Sequence, residues 1–311
     1  MTDSLNIFAR LPNWQVLEIK GPDAQDFLHR LTSANFKSLK AGFFTPGTLL
    51  TPTGKIALYF KALLIEPGRY ILLVPAPSPE LSGAQAAIEA FEKMHFREDF
   101  TITSLATEWC YLRLLASDEK RISKLEPLIP PPGQLKATKD GRIIFNEARW
   151  CTEPIKLDLG LIVQTARLAG ITTTLRQSEF TEAPTLEPYR LRAGDPGVPA
   201  ELNMTTIPLE ARLDDAVHEN KGCYPGQEVV ERIRAMGQVP RSLARLTGTG
   251  ETPNVLSAIL SGTQEAGTLT SATRDPIAGG WVGLGYIKRT FTKDTDATFS
   301  IAQQPVSVQL K

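Results

Sequence analysis

Beyond Arg241 the chain is cut into short segments by closely spaced turn signals: Thr247-Gly248-Thr249-Gly250, Ser261-Gly262, Asp275-Pro276 and Gly279-Gly280. Short strands in an open sheet leave unpaired edges, and closure removes them. This stretch is therefore expected to form a small closed or nearly closed β-barrel. The preceding residues read as mixed α and β. Residues 14–20 form a strand, Gly21-Pro22-Asp23 breaks it, and the helix that follows places Phe27, Leu28 and Leu31 on one face. Residues 43–50 and 56–60 are strands around the turn Thr51-Pro52-Thr53-Gly54, and 70–74 is a further buried strand. Over 81–96, Leu81, Ala84, Ile88, Phe91 and His95 recur at helical spacing. Residues 101–180 read as a second α+β unit, with strands near 109–115, 143–145 and 157–163 and a proline-rich loop at 127–133.

A chain of 311 residues exceeds the usual size of one core and implies two or three domains. Apolar residues at 42% and charged ones at 22% fit a soluble globular protein. Lys plus Arg and Asp plus Glu both number 34, which argues against a general nucleic-acid binder. No run of 18 apolar residues occurs, and the first ten residues carry Asp3 without an apolar core, so neither a membrane span nor a secretory signal is expected. Cys110, Cys151 and Cys223 lie far apart with no C-x-x-C pair. That spacing argues against a disulfide framework, a zinc site or a resident iron–sulfur cluster, and for a reducing compartment, the cytoplasm. No metal ligand set is expected; His29, His95 and His218 have no spacing that suggests one.

The densest constellation is residues 220–236, Asn-Lys-Gly-Cys-Tyr-Pro-Gly-Gln-Glu-Val-Val-Glu-Arg-Ile-Arg-Ala-Met. Gly222 and Gly226 bracket Cys223 in a tight loop, Pro225 suits a first helical turn, and Gly237 ends the helix. Val229, Val230 and Ile233 face the core. Cys223 is thus expected at or just before a helix N-terminus, where the macrodipole and Lys221 favour a thiolate, with Glu228 partly offsetting them. A small buried cysteine filling a gap is the competing reading, and the residues alone leave the two about even. Cys110 and Cys151, in apolar surroundings, are expected to be inert.

Lys221-Gly222-Cys223-Tyr224, Pro225 and Gly226-Gln227-Glu228 resemble the K-G-C-Y-x-G-Q-E signature of the YgfZ family, folate-binding relatives of the glycine-cleavage T-protein linked to iron–sulfur cluster maintenance and tRNA thiomodification. Other segments resemble family landmarks in the same order: Trp14 with Gly21-Pro22-Asp23-Ala24 and Phe27-Leu28, Leu50 through Gly54-Lys55-Ile56, Leu191-Arg192-Ala193-Gly194, Ile207-Pro208-Leu209-Glu210, Gly267 to Ser271, and Leu284-Gly285-Tyr286-Ile287.

The resemblance implies an α+β fold, a glycine-cleavage T-protein-like three-domain ring with a C-terminal β-barrel. Residues 1–238 would hold two interleaved lobes, about 1–40 with 105–185 and 41–104 with 186–238, and 239–311 would form the barrel. It implies a tetrahydrofolate-binding accessory protein for iron–sulfur cluster assembly or repair. Its cofactor would be tetrahydrofolate or a one-carbon derivative, its partners iron–sulfur enzymes or assembly proteins, with tRNA reached indirectly. Cys223 is the functional thiol. Trp14, Lys221, Tyr224, Gln227, Glu228, Tyr189 and Arg232 are the cofactor-binding candidates, with Arg234, Arg241 and Arg245 close to Arg232 in sequence.

Superfamily transferases carry an aspartate on the strand after the glycine landmark. Here that stretch reads Ile56-Ala57-Leu58-Tyr59-Phe60, so aminomethyl transfer is not expected. A second family tryptophan falls at Leu186, with Tyr189 nearby, and the pterin-holding glutamate has no secure counterpart, Glu153 being the nearest candidate. The alternatives are a tetrahydrofolate-dependent aminomethyltransferase and an RNA-binding module without folate.

Overall fold

The computed structural model describes residues 5–292 and 297–310, which form two compact units. The first comprises the described residues up to 49 with 58–186 and 215–225; the second comprises 50–57, 187–214 and the described residues from 226 onward.

The first unit is built on two sheets. One has five strands in the order Phe43–Leu50, Ile56–Glu66, Arg69–Pro75, Trp14–Lys20, Thr101–Ser104. The other has six, in the order Thr181–Glu182, Asn6–Arg10, Trp109–Ala116, Leu157–Gln164, Ile143–Asn146, Leu135–Ala137. The central strands Ile56–Glu66, Arg69–Pro75, Trp109–Ala116 and Leu157–Gln164 are buried on both faces, and alternation decides which layer each side chain joins. Along Ile56–Glu66, the even positions Leu58, Phe60, Ala62 and Leu64 enter an outer core with Phe27, Phe36 and Phe91. Odd position Leu63 enters the layer between the sheets, with Val16, Leu73, Tyr111, Phe145 and Ile162. The outer face of the six-stranded sheet has its own core of Leu112, Leu114, Leu159 and Leu161, covered by Leu168 and Ile171.

The structure draws the lobe boundaries elsewhere than the sequence reading does. Trp14–Lys20 pairs with Arg69–Pro75 and Thr101–Ser104, through Leu17↔Leu72 and Ile19↔Ile102, and not with the strands of 105–185. Asn6–Arg10 alone of the first forty residues joins that second sheet, antiparallel to Trp109–Ala116. A strand that is apolar on both faces carries no mark of its partner. The helix expected over 81–96 is shorter, Gly83–Glu92, because the Ser82 hydroxyl accepts from Gln85 N at 3.0 Å and fixes the start. His95 lies beyond its end, stacked on Phe100 at 4.1 Å.

In the second unit, six strands close into a barrel in the order Arg241–Gly248, Trp281–Lys288, Gln264–Arg274, Ala258–Ser261, Phe299–Ile301, Gln304–Leu310, the last pairing back on the first. Leu246, Ile259, Leu269, Trp281 and Ile287 fill it. A register shift between Leu269 and Ser271 supplies the local bend that closure needs. The closed barrel expected from the turn spacing is present.

Candidate functional site

The layer between the two sheets is apolar except at one place, where charged side chains from four strands converge. Alternation aims Tyr59 and Lys61, Tyr111 and Arg113, and Asp158 inward on their strands, and Glu147 follows directly on Ile143–Asn146. Arg113, 1% exposed, grips Asp158 bidentately, with Nε–Oδ1 and Nη2–Oδ2 both 2.7 Å. Its Nη2 also lies 3.3 Å from Glu147 Oε2. Lys61 Nζ donates to the same Oε2, and the Tyr111 hydroxyl donates to Oε1 at 2.7 Å. The Trp150 amide completes Asp158 at 2.9 Å, while the Trp150 ring lies 3.2 Å under the Arg113 guanidinium. Two cations and two anions balance, the condition under which charges persist in a dry interior.

Burial works to raise the Glu147 carboxyl, but Arg113 and Lys61 outweigh it and hold it below its ordinary value. Burial, then the Glu147 charge, pushes the Tyr111 hydroxyl far up, so it stays a donor. A cavity of about 250 Å³ opens over this cluster, lined by Phe44, Pro46, Tyr59, Lys61, Glu147, Arg149 and Asp215. Arg149 donates to Asp215 across it. The cavity combines an aromatic wall, a fixed carboxylate and an ammonium, a set that orients a flat polar heterocycle by stacking and hydrogen bonds.

Trp14 stands behind this wall. It packs edge-on against Tyr59 and Tyr111 at 6.1 and 6.0 Å, and Lys61 Nζ lies 4.9 Å from its ring centroid. Lys61 thus covers the ring of Trp14, the cofactor-binding candidate, and Tyr59 is the ring that lines the cavity.

Segment 215–225 is stitched to the region after the first helix. Ser33 Oγ donates to Ala216 O at 2.6 Å and His218 N to Ser33 O at 3.0 Å. Lys221, expected beside the ligand, instead sends its ammonium to the carbonyls at the end of helix Ala24–Leu31: His29 O, and Thr32 O at 2.5 Å. It sits 4.7 Å over the ring of buried Tyr224. Burial lowers its pKa to about 8, against a raising pull from Cys223. One segment thereby supplies both a cavity wall, Asp215, and the loop that carries Cys223.

The helix of the signature runs Gln227–Met236, with Gly226 at its N-cap in the left-handed conformation, φ 78°. Cys223 is therefore four positions before the first helical residue and Pro225 lies outside the first turn. The macrodipole, which fades within one turn, gives no warrant for its activation. What the loop provides is access: Cys223 is exposed, and nothing lies within 4 Å of a Cβ built on Gly222. The gap-filling alternative, a buried cysteine, does not hold. Gly226 itself packs against the other landmark, since a Cβ there would meet Thr51 O at 2.5 Å and Gly54 Cα at 3.1 Å.

Gln227, exposed Glu228, exposed Arg232 and buried Tyr189 belong to the second unit. Arg234 pairs with Glu231, Arg241 with Glu210, and Arg245 donates to Arg192 O. Leu186 is buried. Glu153 is not among the cavity-lining residues; the buried carboxylate is Glu147, which the sequence reading missed. A signal was present: Lys61, Arg113 and Asp158 each interrupt a run of apolar strand residues.

The thiols differ in environment. Cys110 is buried, which raises its pKa. Cys151 is exposed as a residue, contrary to expectation, yet desolvation of its sulfur and the nearby Asp158 charge push its pKa up to about 11. Alkylation at pH 7, followed thiol by thiol, is expected to modify Cys223 at least ~10-fold faster than Cys151, with Cys110 slowest. Equal rates at Cys151 and Cys223 would contradict this ordering.

No protein-family model matches the chain. The fold is that of the glycine-cleavage T-protein: the aminomethyltransferase T of the glycine cleavage system from Bartonella henselae superposes with a TM-score of 0.82 at 17% identity, over 99% of this chain and 86% of that one. Among curated proteins, the chain is 26% identical to a protein of Arabidopsis thaliana named as a chloroplastic transferase, over 88% of this chain. It is 24% identical to the mitochondrial iron–sulfur cluster assembly factor IBA57 homolog of Neurospora crassa, over 78% of this chain. It spans 63% and 54% of those two relatives' lengths. It is also 26% identical to the aminomethyltransferase of Rubrobacter xylanophilus, over 94% of this chain and 78% of that one. Among the described residues no helix is long and apolar enough to cross a membrane.

Proposed function

We propose that this protein binds a reduced folate, the heterocyclic end entering the Tyr59–Lys61–Glu147 cavity, and serves as an accessory factor in iron–sulfur cluster assembly rather than as an aminomethyltransferase. The observation that carries the reading is Glu147: a buried carboxylate, fenced by two cations, at the wall of an aromatic cavity in a T-protein fold. Carboxylate oxygens of this kind accept from ring N–H and amino groups. The strand that bears the transferase aspartate elsewhere in the superfamily presents Tyr59 and Lys61 here. An ammonium at that point opposes a developing positive charge, so it supports binding over transfer.

The similarity to an iron–sulfur cluster assembly factor supports the cellular role, and the exposed Cys223 thiol is our candidate for its chemistry. Its clients are then iron–sulfur enzymes, including those that thiolate tRNA. Three cysteines free of disulfides suit a reducing compartment such as the cytoplasm.

Titration with tetrahydrofolate is expected to quench tryptophan fluorescence, because Trp14 lies directly behind the cavity wall. Tyr59→Ala removes the lining ring and should weaken binding ~10-fold or more, at about 1.4 kcal/mol per decade. Absence of quenching and of calorimetric heat with the wild-type protein would overturn the folate reading. Aminomethyl transfer at an ordinary rate, on the order of 1 per second, would overturn the accessory role.

A further inference from the structure

A second cavity, of about 480 Å³, lies on the far side of the six-stranded sheet. The sheet contributes Leu114, Ile144 and Leu161 to its lining; Leu128, Ile171 and Leu175 close it from the 3-10 turn and helix above. The cavity is a cleft half open to solvent, and its exposed apolar lining, Leu128 among it, is surface that a bound aliphatic group would cover. Its volume falls within the roughly 300–1,000 Å³ typical of small-molecule sites.

Its only charged lining residues are Asp140, Arg142 and Arg167, and they form one cluster. Arg142 Nε lies 2.8 Å from Asp140 Oδ2. Arg167 Nη1 donates to Asp140 O at 2.9 Å and lies 3.9 Å from Oδ2. The Thr138 hydroxyl and Arg142 hold the Asp140 carboxyl at about 2, so it stays ionised at neutral pH and the cluster carries one net positive charge. An apolar space bordered by a cluster of net positive charge is complementary to an aliphatic chain with an anionic head.

We propose that this cavity binds a medium-chain aliphatic carboxylate, its chain among the leucines and isoleucines and its head between Arg142 and Arg167. At about 30 Å³ per heavy-atom group, the share of liquid volume of a water-sized unit, the space holds roughly 16 groups, an acid of about 10 to 14 carbons. The site is lined by none of the residues of the Glu147 cavity and is independent of the folate reading.

The test is calorimetric titration of the full chain with decanoate and with decan-1-ol. Decanoate is expected to bind, and the alcohol, lacking the charge-assisted hydrogen bonds, about 10-fold more weakly. Arg142→Gln should bring decanoate down to the level of the alcohol. Leu161→Trp, which fills the cavity, should weaken both. Gly170→Leu provides a variant that folds readily: it exchanges a helical glycine for a better helix former, and nothing lies within 4 Å of its Cβ position. It should also weaken both ligands, because Gly170 lines the cavity. No heat with decanoate, equal affinity for acid and alcohol, or unchanged binding in Gly170→Leu would each overturn the proposal.

Discussion

Replacing Arg113 by Met is expected to destabilise the protein by about 3–5 kcal/mol and lower its melting temperature by roughly 10 °C. Met keeps most of the volume, so the loss isolates the guanidinium. Asp158, 0% exposed, would keep only the Trp150 amide, and Glu147 would keep Lys61 and Tyr111. A buried charge stripped of its partner costs more than the pair contributed. Adding Asp158→Leu removes the orphaned charge and should recover much of the loss. The acid limb gives a second readout. Glu147 has a folded-state pKa below its ordinary 4.5, so its contribution is full above that value and fades as pH falls through the lower folded value. Without Arg113, a main cause of that depression, acid unfolding should begin at higher pH. A melting shift under about 2 °C would mean the cluster is not the dry, mutually dependent network described.

Lys221 is expected to give a stability change of the same pH sense but in an alkaline window, on the order of 2 kcal/mol. Its ammonium is buried, which lowers its pKa from 10.5 to about 8. Between those values the unfolded chain holds a proton that the folded chain has released, so rising pH favours the folded state across that window. Below about pH 8 the full cost of burying the charge is present, offset by the bonds to His29 O and Thr32 O. Lys221→Met lacks this titration. The stability difference between wild type and variant should therefore shift in favour of wild type between pH 7 and 10, by chemical denaturation at each pH. Parallel profiles would show that Lys221 is solvated and does not pin the loop. The outcome bears on function, because the same segment carries Cys223 and Asp215.

Much of this was legible in the residues, and the boundary has a physical cause. Turn signals act locally: Gly237 ends its helix at φ 61°, Gly54 turns at φ 74°, and the spacing of glycines after Arg241 announced a barrel that the structure closes. The K-G-C-Y-P-G-Q-E stretch marked the loop of an exposed thiol, although it placed the helix start too early. These features depend on the conformational preferences of a few adjacent residues, which the chain carries wherever it goes.

The Glu147 cluster is of another kind. Its members come from positions 61, 111, 113, 147 and 158 and meet only because two sheets pack face to face with the alternate side chains of each strand turned inward. The sequence marked Lys61, Arg113 and Asp158 as charges inside apolar strands, but a lone charge in a buried strand names neither its partner nor its layer. Likewise Trp14 stood out as an aromatic, while the packing against Tyr59 and under Lys61 decided which ring lines the cavity. Local backbone preference is written residue by residue; charge pairing in a low-dielectric layer is settled by which strands become neighbours, and that requires the whole fold.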